Sequence, residues 1–139
     1  MTVYIDSSVI LRVVLGQPNQ LAEWRSIDAG VTSALTQVEC LRTLDRLRVT
    51  TGEPGAEALV PRRAAIFRVI ESLQTVDLSP AVLRRAAQPM ATALGTLDAI
   101  HLASAQLWRE AYGSALTVAT HDRALALAAT AEGFAAIGV

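Results

Sequence analysis

Lysine is missing from this 139-residue chain, whose twelve cations are all arginine. That absence excludes Schiff-base catalysis, the phosphate loop of nucleotide hydrolases and the Ser-Lys hydrolases, each of which needs an ε-ammonium group. Cysteine is nearly missing too. Cys40 alone can form no intrachain disulfide and cannot supply the thiolate cluster of a structural zinc site, which fits a reducing compartment. Aromatics make up only 4% of residues, and the longest stretch without a charge is 86–97. That falls short of the ~18 to 20 apolar residues that span a bilayer, so no membrane contact is expected. The opening MTVYIDSS has no basic region ahead of an apolar run, so no secretory signal is expected and a cytoplasmic location is. Thirteen acids against the twelve arginines leave a net charge of -1, so no global basic field draws the chain onto a polyanion. Any anionic partner must be held locally.

What is present is a large aliphatic core. The chain is 52% hydrophobic with mean hydropathy +0.36, enough to bury one ordinary domain over residues 1–139 and incompatible with a disordered tail. Short β-branched runs alternate with longer helix-period segments, the signature of an α/β fold with a parallel sheet covered on both faces. Strands are expected at 3–6, near 30–33, near 75–78, at 116–120 and, most weakly patterned, at 134–139. Helices are expected at 7–15 and 19–28, split by Gly16, Gln17 and Pro18. A third covers 34–48, with Leu35, Val38, Leu41, Leu44 and Leu47 as its buried stripe, and a fourth covers 56–72, with Arg62, Arg63 and Arg68 giving a basic outer face. Ser79 and Pro80 start a helix to about residue 92, Thr96 caps one over 97–111, and a last one runs from 121–122 to Gly133.

Four acids stand out by position. Asp6 ends the first strand, Asp122 follows the fourth, Asp98 lies in the first turn of the Thr96 helix, and Glu39 lies inside the helix after the second strand. Ligands of open α/β sheets bind beyond the carboxyl ends of the strands, where strand order reverses. With a sheet of four to five strands ordered 3-2-1-4-5, Asp6 and Asp122 become neighbours across that point. Carboxylates brought so close repel unless protonated or bridged by a cation, and an all-oxygen set favours a hard ion such as Mg2+ or Mn2+. Each acid also has a plain structural explanation. Asp6 can simply cap the following helix, Asp98 and Asp122 can cap helices or complement their dipoles, and Glu39 can pair with Arg42 at i+3. Their joint placement at one end of one sheet is what favours a site.

The residues around these acids complete a resemblance. VYIDSS, TSALTQVECLRTL around Glu39, LGTLDAIHLASA around Asp98 and LTVATHDRAL around Asp122 are similar to the four motif blocks of PIN domains, above all the VapC-type toxins of bacterial toxin-antitoxin pairs. The resemblance covers essentially the whole chain. It implies a Mg2+- or Mn2+-dependent endoribonuclease in which Asp6, Glu39, Asp98 and Asp122 match the family's acidic quartet, Asp6 and Asp98 being direct ligands. Ser8 and Thr120 match positions where the family often has a hydroxyl, and such groups can support a carboxylate by hydrogen bonding. It further implies a homodimer, and a cognate antitoxin whose C-terminal segment lies across the groove.

Other groups are weighed against this site. His101, one turn after Asp98, is expected to be a packed, hydrogen-bonded residue and not a ligand, and His121 to lie at the surface or mouth. Cys40 is expected to be a buried structural thiol. Arg12, Arg42 and Arg46 are candidates to hold RNA phosphates, with a solvated face as the alternative. A single-stranded loop is the expected kind of RNA. From a different class, a catalytically weak PIN-fold module that binds RNA or protein is the alternative function. Phosphatases of the haloacid-dehalogenase kind want an Asp where this chain has Ser8, and both they and receiver domains use a lysine.

Overall fold

The β-branched opening forms strand β1, Thr2–Ile5, with Val3, Tyr4 and Ile5 all buried. The computed structural model describes residues 1–113 and 115–139. Helix α1, Ser7–Val14, follows at once, and a single 3-10 turn, Ala22–Ser26, leads to β2, Ala29–Ser33. Two long helices come next, α2 at Ala34–Thr51 and α3 at Ala56–Glu71, then β3 at Gln74–Val76 and α4 at Pro80–Ala86. The chain closes with α5, Thr96–Tyr112, β4, Thr117–Ala119, α6, Arg123–Ala131, and β5, Ala135–Ile137.

These strands make one five-stranded sheet in the order β3-β2-β1-β4-β5, with every neighbouring pair parallel. Successive strand residues point to opposite faces, so β1 feeds two separate cores. Val3 and Ile5 pack with Val9, Ile10, Leu44 and Ile66 beneath α1, α2 and α3. Tyr4 points the other way, into a layer with Leu102, Trp108 and Leu125 from α5 and α6. The α/β class and strand order therefore match the expectation from sequence.

Several local expectations are corrected. Residues 19–28 do not form a full helix: Asn19 takes a left-handed φ of 59°, and β2 begins at Ala29, leaving room for one 3-10 turn. Helix α4 ends at Ala86 instead of near residue 92, because Pro89 disfavours helical backbone in the residue before it. Helix α2 runs on to Thr51, where Gly52 adopts the left-handed conformation that stops it. Thr96 is the first helical residue of α5, and Gly95 holds the cap position without a side-chain bond. The stripe of α2 is narrower than predicted. Thr36, Cys40 and Leu44 are buried, whereas Val38 is 56% exposed. Arg62 does not belong to a basic outer face, since its guanidinium donates to the Val14 carbonyl at the end of α1.

The C-terminal edge is tied to the end of β4 by backbone. Thr120 N–H donates to the Ile137 carbonyl at 3.0 Å, and Gly138 has φ +100°. A Cβ on Gly138 would lie 2.6 Å from the Thr120 carbonyl oxygen, a backbone atom that cannot swing aside. Gly138→Ala is therefore expected to destabilise the protein by about 1 to 3 kcal/mol, more than Gly133→Ala, where the added Cβ meets open space. Urea unfolding of both variants measures the difference, and equal losses would contradict it.

Candidate active site

The site begins with the register of β1 on β4. Ile5 pairs with Ala119, so the next residues, Asp6 and Thr120, emerge side by side at the carboxyl end of the sheet. Asp6 is only 4% exposed. Its backbone is extended, and its Oδ1 caps α1 by accepting from the amides of Ser8 at 3.1 Å and Val9 at 3.4 Å. The Ser8 hydroxyl donates to the same oxygen at 2.6 Å, and the Thr120 hydroxyl donates to Oδ2 at 2.7 Å. Burial nevertheless pushes the Asp6 carboxyl above its ordinary range, against the opposing pull of the Ser8 and Thr120 hydroxyls.

Thr120 also reaches the next acid. Its oxygen accepts from the Asp122 amide at 2.9 Å, and Asp122 Oδ1 caps α6 by accepting from Ala124 and Leu125 at 2.8 and 3.1 Å. Asp122 is exposed. Half-buried Asp98, in the first turn of α5, has its carboxyl raised first by burial and next by the charge of Asp122. Asp6 and Glu39 push it the same way, and His101 opposes them. The four acids thus share one electrostatic neighbourhood.

Glu39 does not pair with Arg42. Its Oε1 meets His101 Nε2 at 2.5 Å, while Arg42 bonds Asp45 on the same helix at 3.0 Å. His101 is 1% exposed, and its Nδ1 lies 2.8 Å from the Tyr4 hydroxyl. Burial, then the charge of Asp6, pushes that hydroxyl well above its ordinary range, so Tyr4 keeps its proton. Buried Cys40 is pushed up to about 12 by burial and by Glu39 and Asp6, which makes it an inert thiol. His121 is half-buried and pinned, its amide donating to Ser8 Oγ at 2.9 Å and its Nδ1 donating to the Gly138 carbonyl at 2.6 Å.

The acids therefore fall into two hydrogen-bonded groups, Asp6 with Asp122 through Thr120 and Glu39 with His101, to both of which Asp98 is coupled by charge. Among the described residues, no three His, Cys, Asp or Glu side chains stand close enough to hold a metal ion. The donor chemistry still suits a hard divalent cation: the acids offer only oxygen, and the largest charge acting on Asp98 is that of another acid. Beside Glu39 lies a groove of about 300 Å³ lined by Leu35, Val38, Arg42, Arg46 and Leu97. Arg12 is engaged elsewhere, donating to the Asn19 carbonyl at 3.1 Å. Tyr4 is the site residue that sequence reading missed. Its signal was available, because a buried phenol needs a hydrogen-bonding partner.

A family model described as "PIN domain" matches residues 3–131. No curated protein matches the chain by sequence. Among solved structures, a toxin-antitoxin complex from Klebsiella pneumoniae superposes with TM-score 0.64 at 16% identity, over 89% of this chain and 90% of that one. A sarcin-ricin loop cleaving VapC toxin from Mycobacterium tuberculosis gives TM-score 0.62 at 17% identity, over 95% of each chain. A VapBC complex from Rickettsia felis, bound to a DNA fragment from its promoter, gives 0.63 at 9% identity, over 98% and 97%. At these identities the likeness is one of fold.

A carboxyl whose folded-state pKa is raised favours the folded state below its ordinary pKa and loses that contribution as pH rises through the folded value. For Asp6 and Asp98 the metal-free protein is thus penalised at neutral pH and relieved as pH falls into the carboxylate range. Asp98→Asn, which removes the charge but keeps the shape, is expected to raise the Tm of metal-free protein at pH 7.5 and to change it little at pH 4. Scanning calorimetry at both pH values decides, and a lower Tm at pH 7.5 would contradict the repulsion.

Proposed function

This chain belongs to the PIN-domain family, and from that premise we propose that it is a Mg2+- or Mn2+-dependent endoribonuclease, the toxin of a toxin-antitoxin pair. The observation that carries this reading is the gathering of Asp6, Glu39, Asp98 and Asp122 at the carboxyl end of β1 and β4, with Asp6 and Asp98 both held above their ordinary range. Two of the similar structures, the toxin-antitoxin complex and the loop-cleaving toxin, support RNA as the substrate class and an antitoxin as partner.

Asp6 and Asp98 would be the direct ligands, with Glu39 and Asp122 binding the ion or orienting water around it. Bound Mg2+ or Mn2+ supplies an activated water and neutralises charge developing on the phosphate oxygens, so neither a nucleophilic side chain nor a lysine is needed. Ser8 and Thr120 hold the two Asp6 oxygens in a fixed direction. Arg42 and Arg46, in the groove next to Glu39, would bind phosphates flanking the scissile bond, with Leu35, Val38 and Leu97 as its apolar lining. An antitoxin segment with a basic side chain would suit the acidic end of the sheet, and a homodimer and a cytoplasmic location accompany the reading. No helix among the described residues is long and apolar enough to cross a membrane.

One observation favours a second reading. Glu39 is engaged by His101 and, among the described residues, no three acids close on one point, as befits a binding module with weak metal chemistry. Cleavage of total RNA by antitoxin-free protein separates the two. Discrete cuts with Mg2+ or Mn2+ are expected, abolished by EDTA. Asp6→Asn, which keeps a good helix cap, and Asp98→Asn should each lower the rate by more than the ~10 to 100-fold typical of losing a residue that only supports a ligand. Absence of cutting with either ion would favour the binding module, and cutting that persists in EDTA would remove the metal.

A further inference from the structure

Behind the acids runs a buried polar line of Tyr4 on β1, His101 on α5 and Glu39 on α2. We propose that His101, locked by Tyr4, is the positioning residue that sets the direction of the Glu39 carboxylate at the candidate active site. The proposal rests on the metal-ribonuclease reading of that site.

Hydrogen-bond logic fixes the arrangement. Glu39, as a carboxylate, only accepts, so the hydrogen it shares with His101 must sit on Nε2. The Tyr4 hydroxyl lies 2.8 Å from Nδ1 and can either donate to that nitrogen or accept from it, so Nε2–H faces Glu39 in both cases. Both nitrogens are bonded and the Tyr4 ring stands edge-on at a centroid distance of 5.9 Å, so the imidazole cannot flip without breaking both bonds. It therefore presents one N–H in one direction.

A purely packed position would not need this chemistry. Tyr4 and His101 are 0% and 1% exposed, and polar atoms buried so deeply cost free energy unless each is partnered. An apolar pair of similar volume would fill the space without that requirement. What the polar pair adds is a fixed donor at the acidic end of the sheet. His101 stands three residues after Asp98, so one face of α5 carries a candidate metal ligand and the group that orients another.

The alternative partner of Glu39 is close. Arg42 lies at i+3 on α2 and is now held by Asp45. Without the His101 donor, Glu39 is expected to turn to Arg42, with which it lines the groove. The Tyr4–His101 pair opposes that turn and keeps Glu39 among the acids, leaving Oε2 outside the His101 contact.

The test compares His101→Leu, His101→Gln, Tyr4→Phe and the Tyr4→Phe/His101→Leu double variant by Mn2+ titration calorimetry, by kcat and KM on one RNA substrate, and by urea unfolding. His101→Leu is expected to weaken Mn2+ binding and lower kcat by about 10 to 100-fold with KM for RNA unchanged, the range seen when a ligand's supporting partner is removed. His101→Gln, whose amide can still donate to Glu39, should recover most of the loss. Tyr4→Phe should lose less than His101→Leu, in the same parameters. The double variant should lose no more than His101→Leu, because Tyr4 acts only through the imidazole. Cooperative unfolding with unchanged Mn2+ affinity and kcat in His101→Leu, or additive losses in the double variant, would reduce His101 to a packing residue. If His101→Leu does not fold, Tyr4→Phe decides alone: lower Mn2+ affinity and kcat at constant KM support the proposal, and no change overturns it. Wild-type protein that neither binds Mn2+ nor cuts RNA overturns the ribonuclease reading and the proposal together, a result visible before any variant is made.

Discussion

A carboxylate almost entirely withdrawn from water at the end of β1 is the constraint around which this molecule is arranged. Burying an ion costs several kcal/mol unless its lone pairs are met by good donors, and Asp6 meets part of that requirement from backbone amides and hydroxyls. Its donors come from three directions: the first-turn amides of α1, the Ser8 hydroxyl and the Thr120 hydroxyl. That set demands a helix starting directly after β1 and a hydroxyl on the adjacent parallel strand at the matching register, which the pairing of Ile5 with Ala119 provides. The switch in strand order follows, because β1 must have β4 on one side while β2 takes the other.

Capping and chemistry are not competing explanations for these acids. Asp6 and Asp122 are both helix caps, as the plainest reading of each had it, and each caps through a single oxygen. Asp122 Oδ2 takes no part in its cap, and Asp6 Oδ2 meets a hydroxyl, which orients the carboxylate without neutralising it. Helix N-termini stabilise negative charge only partially, so burial keeps the Asp6 carboxyl raised, and burial followed by the charges of Asp122, Asp6 and Glu39 does the same to Asp98. That residue of uncompensated charge is what makes a cation a natural occupant.

The α/β class and the placing of the four acids along the elements were legible in the sequence, because both depend on local patterns: β-branched runs, caps, and acids at strand ends. The strand order was a premise that the sheet matches. What was not legible depended on distant partners. The i+3 rule offers Glu39 to Arg42, yet the buried imidazole 62 residues away wins, since a hydrogen bond out of water is stronger than an exposed ion pair. Tyr4 looks like any core residue until α5 lays His101 across it. Periodicity likewise overstated the stripe of α2, where Val38 faces the groove, because helix α2 buries one narrow row and uses its next row to line a cleft. Residues 19–28 show the same limit at shorter range, for a left-handed Asn19 and the early start of β2 decide their conformation.

The absence of lysine acquires a structural meaning when the arginines are followed to their partners. Arg62 closes the end of α1, Arg85 pairs with Glu110, Arg109 lies over Phe134 while bonding the Glu132 carbonyl, and Arg48 joins Arg42 on Asp45. These are uses of a planar, multiply donating cation that an ammonium serves poorly. A near-neutral chain thus commits much of its positive charge to architecture, and none of those arginine contacts involves Asp6, Glu39, Asp98 or Asp122 at the end of the sheet. On the ribonuclease reading, a polyanion approaching that end is repelled until a cation is present. On that same reading the ion and the RNA would strengthen each other's binding, and Arg42 and Arg46 would draw the backbone to the groove beside Glu39.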